Sequence, residues 1–205
     1  MIDGSAASGR ERILDSSARL FAERGFAETS LRVIAADIDM KAGSLYYHFA
    51  SKDDLLVSVL ERGIELMTDR FELVELEWSA VSSASDEAAH RSRLLAHVVG
   101  HLEVLHGHYP YTSLHITTFR TAPEAVRVAV VPFRDAYEAK WTALLAELLP
   151  ERPADEISIL RLVLFGAMNS SIEWFDAGRG NLDHFANVVT DQFWFGVTRQ
   201  ERQVQ

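Results

Sequence analysis

Apolar residues near the N-terminus recur at the spacing of two amphipathic helices. Between residues 10 and 24, one face collects Ile13, Leu14, Ala18, Leu20 and Phe21. Gly25 follows where a C-terminal glycine cap would lie. After Thr29 and Ser30, which are suited to an N-cap, the spacing i, i+3, i+4, i+7 is met by Leu31, Ile34, Ala35 and Ile38. We therefore predict two helices in the first forty residues.

A turn and a third short helix follow. Asp39 and Met40 form the turn, and residues 41–49 form a helix with Leu45 and Phe49 facing inward. Ser51 and Asp54 then make a capping box. The helix that begins there can continue to Trp78, a length of about 40 Å at the usual rise per residue. Two short helices, a tight turn and a capped helix are typical of a helix-turn-helix DNA-binding unit.

The remaining pattern is also helical. It predicts a helix over 87–106, a short one ending near Phe119, and a further helix from 124 to 149 in which Pro132 should cause a kink or a break. The last two predicted helices cover 154–177 and 182–199. Strand-like alternation and internal repeats are both missing from the sequence. The prediction is an all-α fold of about nine helices.

Composition narrows the class of protein. The 205 residues include no cysteine, which excludes disulfides, thiolate zinc sites and cysteine nucleophiles. No apolar run reaches the length of a membrane span, and the N-terminus lacks a secretory pattern, so we expect a cytoplasmic protein. Residues 1–52 hold seven basic and seven acidic residues, so the net charge of −10 lies entirely in the remainder. An acidic body beside a neutral helix-turn-helix disfavours non-specific DNA contact, although acidity can also serve solubility alone.

The sequence of the third helix suits a major groove. Small residues near its start allow close approach to base edges, and hydroxyl, imidazole and ammonium groups beyond them can donate to phosphates. We expect base contacts from Lys41, Ala42, Gly43 and Ser44. Phosphate contacts are expected from Thr29, Ser30, Tyr47, His48 and Lys52. For Tyr46, packing beneath the helix and contact with DNA are equally open.

Together these motifs resemble the N-terminal domain of the TetR (tetracycline-repressor) family of bacterial transcriptional regulators. The resemblance rests on Gly25-Phe26, Thr29-Ser30-Leu31, Ile34-Ala35, the run Gly43-Ser44-Leu45-Tyr46-Tyr47-His48-Phe49, Ser51-Lys52 and Leu55. Two positions depart from the family pattern. Asp39 replaces the usual turn glycine and must tolerate a left-handed backbone, and Lys41 replaces a Ser or Thr cap.

The resemblance implies a helix-turn-helix domain at 1–51 and an effector-binding and dimerisation domain at 52–205. A homodimer on a palindromic DNA operator is expected, in the role of a repressor that a small, largely apolar effector releases. Phe193, Trp194 and Phe195 are consecutive and cannot all face one core, so at least one must face solvent or a partner. The predicted dimer interface contains Leu160, Leu164, Phe193 and Trp194.

The body is rich in aromatic residues, and six of its histidines lie between residues 90 and 115. Aromatic residues at helical spacing are usually core, and clustered histidines can line a pocket, lie on the surface or bind metal. We predict an effector pocket and no metal site. Its expected lining is Phe71, His97, His101, Tyr111, Phe119, Tyr137, Trp141, Asn169 and Trp174.

A weaker resemblance concerns the C-terminal part. Gly166-Ala167-Met168-Asn169, Glu173-Trp174-Phe175, Gly178-Arg179-Gly180 and Asn181-Leu182 are similar to a TetR subgroup found near lipid and steroid catabolism genes. Some members of that subgroup sense acyl-coenzyme A thioesters, which would make an acyl-CoA or lipid catabolite the effector. Two alternatives stay open: a TetR-type regulator whose body is a protein-binding platform or that acts as an activator, and a small histidine-based metalloprotein or hydrolase. Motifs for nucleophile elbows, zinc peptidases and phosphate loops are missing, so we expect neither enzyme activity nor a cofactor.

Overall fold

The computed structural model describes residues 9–81, 86–176 and 180–198, and all regular structure in these ranges is helical. The α-helices are α1 (Gly9–Arg24), α2 (Leu31–Asp37), α3 (Ala42–His48), α4 (Lys52–Val81), α5 (Glu87–Gly107), α6 (Tyr109–Thr112), α7 (Leu114–Thr117), α8 (Glu124–Leu148), α9 (Ala154–Asn169), α10 (Ser171–Trp174) and α11 (Leu182–Thr198). The predicted all-α fold is confirmed. The short helices α6, α7 and α10 divide two segments that the pattern predicted as single helices.

The described residues form two compact units. One contains the chain up to Glu65 together with His108–Arg134, and the other contains Leu66–Gly107 and the chain from Asp135 onward. Both α4 and α8 pass from one unit into the other. Pro132 does not break α8, which continues from Glu124 to Leu148. The proline lies on the exposed side of the helix, where water can satisfy the carbonyl that loses its partner.

In the first unit, α1 packs against α2 and α6, and α2 packs against α3. Its core includes Ile13 and Phe21 of α1, Ile34 of α2 and Leu45 of α3, which are almost fully buried. Gly25 ends α1 with a φ of 87°, and its N–H donates to the carbonyl of Phe21. The predicted glycine cap is thus confirmed.

The helices α6 and α7 are fixed to α1 and α4 by two hydrogen bonds. The Tyr111 hydroxyl donates to Asp15 of α1 at 2.6 Å, and Nε2 of His115 donates to the backbone carbonyl of Leu60 in α4 at 2.7 Å. Gly63 permits this close approach, because a Cβ there would lie 3.1 Å from the Tyr111 carbonyl oxygen. These contacts join α6 and α7 to the first half of α4 and to α1.

In the second unit, α11 packs extensively on α5, and α9 packs on both. Arg91 of α5 and Asp191 of α11 form an ion pair across this contact, with Nε 2.8 Å from the carboxylate. The side chain of Asn181 caps α11 as predicted, accepting from the N–H of His184 at 2.8 Å. The residues Ala177–Arg179, which contribute to the weaker resemblance, lie outside the described residues.

Candidate nucleic-acid interface and ligand site

The candidate recognition surface is the outer face of α3. Leu45 and the following Phe49 are buried and hold the helix on the core. Lys41 and Gly43 are exposed, while Ala42, Ser44 and His48 are half-buried. Tyr46 is 60% and Tyr47 88% exposed, so both tyrosines point outward and Tyr46 does not pack beneath the helix. The small residues therefore stand at the start of α3 with the two tyrosines farther along it.

The turn before α3 takes the backbone conformation that its sequence requires. Asp39 has a φ of 55°, the left-handed region that aspartate tolerates better than most residues. The expectation for this departure from the family pattern is confirmed. Lys41 occupies the N-cap position of α3 without a side-chain capping bond, so its ammonium group extends from the exposed end of the helix.

A polar triad fixes α2 against α1. Asp37 accepts from the Ser16 hydroxyl at 2.6 Å and from Arg19 at 2.5 Å. These hydrogen bonds lower the pKa of the Asp37 carboxyl below its ordinary value, and the bond from Ser16 has the largest effect. Arg12 also donates to the Ile38 carbonyl at the end of α2, at 2.7 Å. The orientation of α2, and of α3 packed on it, follows from these contacts.

The two residues before α2 have different roles. The hydroxyl of Ser30 accepts from the N–H of Val33 and caps α2. The predicted phosphate contact of the Thr29 hydroxyl is wrong, because Thr29 is fully buried. Its hydroxyl donates to the carbonyls of Gly25 at 2.9 Å and Leu20 at 3.3 Å, which ties the start of α2 to the end of α1.

Lys52 is partly committed to structure. Its ammonium group donates to the Phe26 carbonyl at 2.8 Å and to the Ala27 carbonyl at 3.4 Å, and it lies 4.2 Å from the centre of the Phe26 ring. An ammonium group has three protons, so one remains for a phosphate. Half of the predicted capping box at the start of α4 is formed, because the N–H of Asp54 donates to Ser51 Oγ at 3.0 Å. The Asp54 carboxylate accepts from the N–H of Ala50 at 3.1 Å instead of from that of Ser51.

Arg32 is a further exposed cation of the helix-turn-helix that the sequence prediction missed. It lies exposed in the first turn of α2, next to the Ser30 cap. An arginine on the polar side of a short helix at the capped end was the available signal, since helix N-termini and guanidinium groups both suit phosphate.

Six of the nine predicted pocket residues converge in the second unit. With Phe165, which the sequence reading missed, they form what we call the aromatic–histidine cluster. Its members are Phe71 of α4, His97 and His101 of α5, Tyr137 and Trp141 of α8, and Phe165 and Asn169 of α9. Ring centroids are 4.3 Å apart for Phe71 and His97 and 5.5 Å apart for Trp141 and Phe165. Phe165 precedes Asn169 by one helical turn, a spacing that places both on one face of α9.

Hydrogen bonds order the polar groups of the cluster. Nδ1 of His101 lies 2.9 Å from the Tyr137 hydroxyl, and Nε2 lies 3.1 Å from Oδ1 of Asn169. Because the amide oxygen only accepts, His101 carries its proton on Nε2 and accepts from Tyr137. Burial lowers the pKa of His101 to about 4 and raises the pKa of the Tyr137 hydroxyl. Both groups are therefore uncharged near neutral pH.

His97 has a carboxylate partner at the edge of the cluster. Its Nε2 lies 2.5 Å from Oε1 of Glu75, which also accepts from Arg93. Burial lowers the pKa of His97 more than Glu75 raises it. The other ring nitrogen, Nδ1, is buried and makes no hydrogen bond.

The other three predicted pocket residues do not belong to the cluster. Tyr111 and Phe119 lie in the first unit, where Tyr111 bonds to Asp15 and Phe119 contacts His115 and Arg134. Trp174 is largely exposed and packs edge-on against Phe185, with ring centroids 5.1 Å apart. It borders a separate open surface cavity of about 520 Å³. The grouping of these three with the cluster was wrong, because helical periodicity gives the inward face of each helix but not which helices meet.

The predicted dimer residues are mostly core. Leu164, Phe193 and Trp194 are buried within the chain, and Leu160 is half-buried. α9 packs on α5 and α11 through Ile157, Leu164 and Met168. Its opposite face, about half a turn away, leaves Ile159, Leu162 and Val163 between 58% and 60% exposed. Phe195 of α11 is also exposed, which confirms that one of its three consecutive aromatics faces outward.

Two further properties concern the described residues only. Among them, no three His, Asp or Glu side chains are grouped so as to hold a metal ion. None of the helices in these ranges combines the length and the apolar character needed to cross a bilayer.

The fold and the α3 surface define an all-helical protein with a helix-turn-helix near its N-terminus. Two family models match the chain: "Bacterial regulatory proteins, tetR family" over residues 13–59, and "Tetracyclin repressor-like, C-terminal domain" over residues 87–197. The second match alone covers more than half of the chain. The chain belongs to the TetR family of transcriptional regulators, with a DNA-binding helix-turn-helix unit at its N-terminus.

Named relatives agree with this membership. The transcriptional repressor KstR2 of Mycobacterium tuberculosis is 23% identical over 181 residues, covering 86% of each chain. The regulator YerO of Bacillus subtilis is 39% identical over 66 residues, which cover 32% of this chain and 23% of YerO. Among solved structures, FadR of Bacillus subtilis in complex with stearoyl-CoA aligns with a TM-score of 0.72 at 18% identity, over 91% of this chain and 98% of FadR. At this identity the structural likeness shows the fold alone, whereas the KstR2 relatives agree with the subgroup resemblance of the sequence.

Proposed function

We propose that the protein is a homodimeric repressor that binds a palindromic operator and is released by a small, largely apolar effector. The observation that carries the proposal is the outer face of α3, where Lys41, Gly43 and Ser44 precede two outward tyrosines. A groove-binding helix needs small or donating residues at its N-terminal end and phosphate donors beside them. Residues 1–51 form the DNA-binding domain in this proposal, and residues 52–205 form the effector-binding and dimerisation domain.

A second copy of the chain is the proposed partner of the exposed face of α9. Ile159, Leu162 and Val163 form an apolar surface there, and small residues Gly166 and Ala167 continue it along the exposed side. Val188 and Phe195 of α11 are exposed as well. Two-fold pairing would place two copies of α3 at the spacing of one DNA turn, about 34–36 Å, and give the affinity that a single small reader lacks.

The proposed effector site is the aromatic–histidine cluster. Helix α4 begins at Lys52, a few residues after α3, and carries Phe71 and Glu75 into the contacts of the cluster. A ligand that changes the position of Phe71 therefore acts on the helix that leads to the DNA-binding domain. Ligand binding would shift the population of dimers toward a conformation in which the spacing of the two DNA-binding domains does not fit the operator. The names of FadR with stearoyl-CoA and of KstR2 as a ketosteroid regulator suggest an acyl-CoA or a lipid or steroid catabolite as effector.

Fluorescence anisotropy with duplexes from the region upstream of the protein's own gene tests the proposal. Tyr47→Phe removes one phosphate donor and should weaken binding to all bound sequences alike, whereas Lys41→Ala and Ser44→Ala should change sequence preference. Ser79→Ala, on the exposed part of α4 remote in sequence from α3, is the matched control and should bind as the parent does. Absence of sequence-specific, salt-sensitive binding would contradict the proposal.

A further inference from the structure

The aromatic–histidine cluster contains a buried acceptor that none of the described residues satisfies. Nε2 of His97 faces a carboxylate oxygen at 2.5 Å, and since a carboxylate only accepts, the ring proton is on Nε2. Nδ1 of the neutral ring is then an acceptor. It is buried, its side chain is fully inaccessible, and it has no hydrogen-bond partner. Buried polar atoms are almost always paired in native proteins, so an unpaired one in a proposed ligand site indicates what the ligand supplies.

The surroundings of this nitrogen are aromatic. Phe71 lies 4.3 Å and Trp141 5.9 Å from the His97 ring, centre to centre. The indole N–H of Trp141 is likewise buried and, though oriented toward the Tyr137 hydroxyl, lies outside hydrogen-bonding geometry. Flat faces with one acceptor and one donor among them suit a planar or compact ring that carries a polar substituent. The rings touch one another, so a ligand must displace at least one of them.

The charges around the cluster are matched. Glu75 is paired with Arg93, and Arg161 is paired with Glu138 while its guanidinium lies over the Phe165 ring. An anionic group inserted here would lose its hydration and stand near the carboxylates of Glu75 and Glu138. Nε of Arg161 is buried without a hydrogen-bond partner, but the charge of that guanidinium group is already matched by Glu138. Burying an unmatched charge is far more costly than burying a neutral polar group.

We propose that the part of the effector that enters the cluster is an uncharged ring bearing a hydroxyl group, and that this hydroxyl donates to Nδ1 of His97. The inference rests on the proposed function, since it names the ligand class of the proposed effector site. It assigns His97 as the residue that selects the hydroxyl, with Phe71, Trp141 and Phe165 as the ring contacts. Glu75 acts through His97 by holding its proton on Nε2.

Isothermal titration of the full chain with matched probes tests this selection. Three phenols of increasing size are compared: para-ethylphenol, β-naphthol and estradiol. Each is set against the carboxylate and the hydrocarbon of the same ring system. At least one phenol should bind about tenfold more tightly than both of its counterparts, the factor expected for one buried hydrogen bond. Carboxylates that bind as tightly as phenols, or phenols that bind no better than hydrocarbons, would overturn the inference.

Variants locate the effect. His97→Phe keeps the ring and removes the acceptor, so it should lower phenol affinity about tenfold and leave hydrocarbon affinity within roughly twofold. Trp141→Phe removes only the indole donor and should retain the preference for the phenol. If His97→Phe does not fold, the phenol-to-hydrocarbon ratio of the wild type decides alone. If His97→Phe folds and retains the phenol preference, the assignment to His97 is refuted.

Operator binding separates this inference from the proposed function. A chain that binds its operator and is released by an acyl-CoA without any preference for phenols remains a regulator, and only the ligand class is wrong. A chain that prefers phenols but binds no DNA contradicts the proposed function and leaves the ligand class standing.

Discussion

His101 should make the stability of the protein fall between pH 6.5 and 4. Burial lowers the pKa of its ring from 6.5 to about 4. The folded chain therefore keeps this ring neutral in that interval, whereas the unfolded chain takes up a proton. The contribution of the neutral His101 ring to the free energy of unfolding is fully present above pH 6.5. It is lost progressively as the pH falls toward the pKa of the ring in the folded chain.

The magnitude follows from the two pKa values. At about pH 5.5 the unfolded ring is mostly protonated and the folded ring is not, which lowers the free energy of unfolding by about 1.3 kcal/mol relative to about pH 7.5. The ring is almost fully buried by accessible surface, so solvent screening reduces this figure little. His101→Gln can retain an acceptor for Tyr137 and a donor for Asn169, but it does not titrate.

Urea unfolding at the two pH values, at one protein concentration, measures the difference. The drop in unfolding free energy from about pH 7.5 to about pH 5.5 should be about 1.3 kcal/mol smaller in His101→Gln than in the wild type. Tyr137→Phe is the matched control: it removes the hydroxyl that donates to His101 and lowers stability at both pH values, but it keeps the titrating ring. An identical pH dependence in wild type and His101→Gln would refute the burial argument.

Three further predictions concern single positions. Thr29→Val should lower the free energy of unfolding by about 1–2 kcal/mol, and Thr29→Ser should retain most of the stability of the wild type. Thermal melts measure both. A Thr29→Val variant that is as stable as the wild type but fails to bind DNA would support a phosphate contact of the Thr29 hydroxyl instead. Asp39→Gly should leave the fold intact and raise the free energy of unfolding by up to about 1 kcal/mol, whereas Asp39→Val should lower it by about 1–2 kcal/mol. Chemical denaturation measures both values. Equal stability of the two variants would contradict a left-handed backbone at residue 39. Leu162→Arg should produce a folded monomer in sedimentation equilibrium. Leu164→Ala should instead lower the free energy of unfolding by about 2–5 kcal/mol and leave the dimer intact. The reverse pattern would show that Leu164, and not Leu162, lies in the dimer interface.

Local sequence determined much of the fold. The helices α1 to α4 follow from apolar spacing, and their ends follow from Gly25, Ser30 and the Ser51–Asp54 capping box, because each of these signals acts within one turn of helix. The left-handed backbone of Asp39 could be expected from the family resemblance, because Asp39 stands where the family usually has the turn glycine. Such short-range features need no knowledge of distant contacts.

Long-range packing was the part that could not be predicted. The apolar residues of α9 occupy nearly its whole circumference, so the sequence could not tell the face that meets α5 and α11 from the face left exposed. Leu164 was therefore assigned to the interface and Leu162 was not. Thr29 shows the same limit. A hydroxyl beside the start of a helix suits a phosphate as well as it suits a backbone carbonyl, and the sequence does not show that the end of α1 lies next to Thr29.

The aromatic–histidine cluster was predicted only in part for the same reason. His97, His101, Tyr137 and Trp141 lie on inward faces that periodicity reveals, and they meet in the structure. Tyr111 lies on an inward face too, but of a helix that packs on α1. The unpaired Nδ1 of His97 depends on the position of Glu75, a glutamate that sequence alone presents as one acidic residue of a solvated helix.

Selection of bound duplexes from a random-sequence pool by the 205-residue chain tests DNA recognition by a dimer without assuming an operator. We expect enrichment of a two-fold symmetric site whose half-sites lie about one helical turn apart. Lys41→Ala should shift the selected bases, and Leu162→Arg should abolish the enrichment. Enrichment of a single asymmetric half-site, or of no sequence at all, would contradict a dimeric regulator that reads DNA through α3.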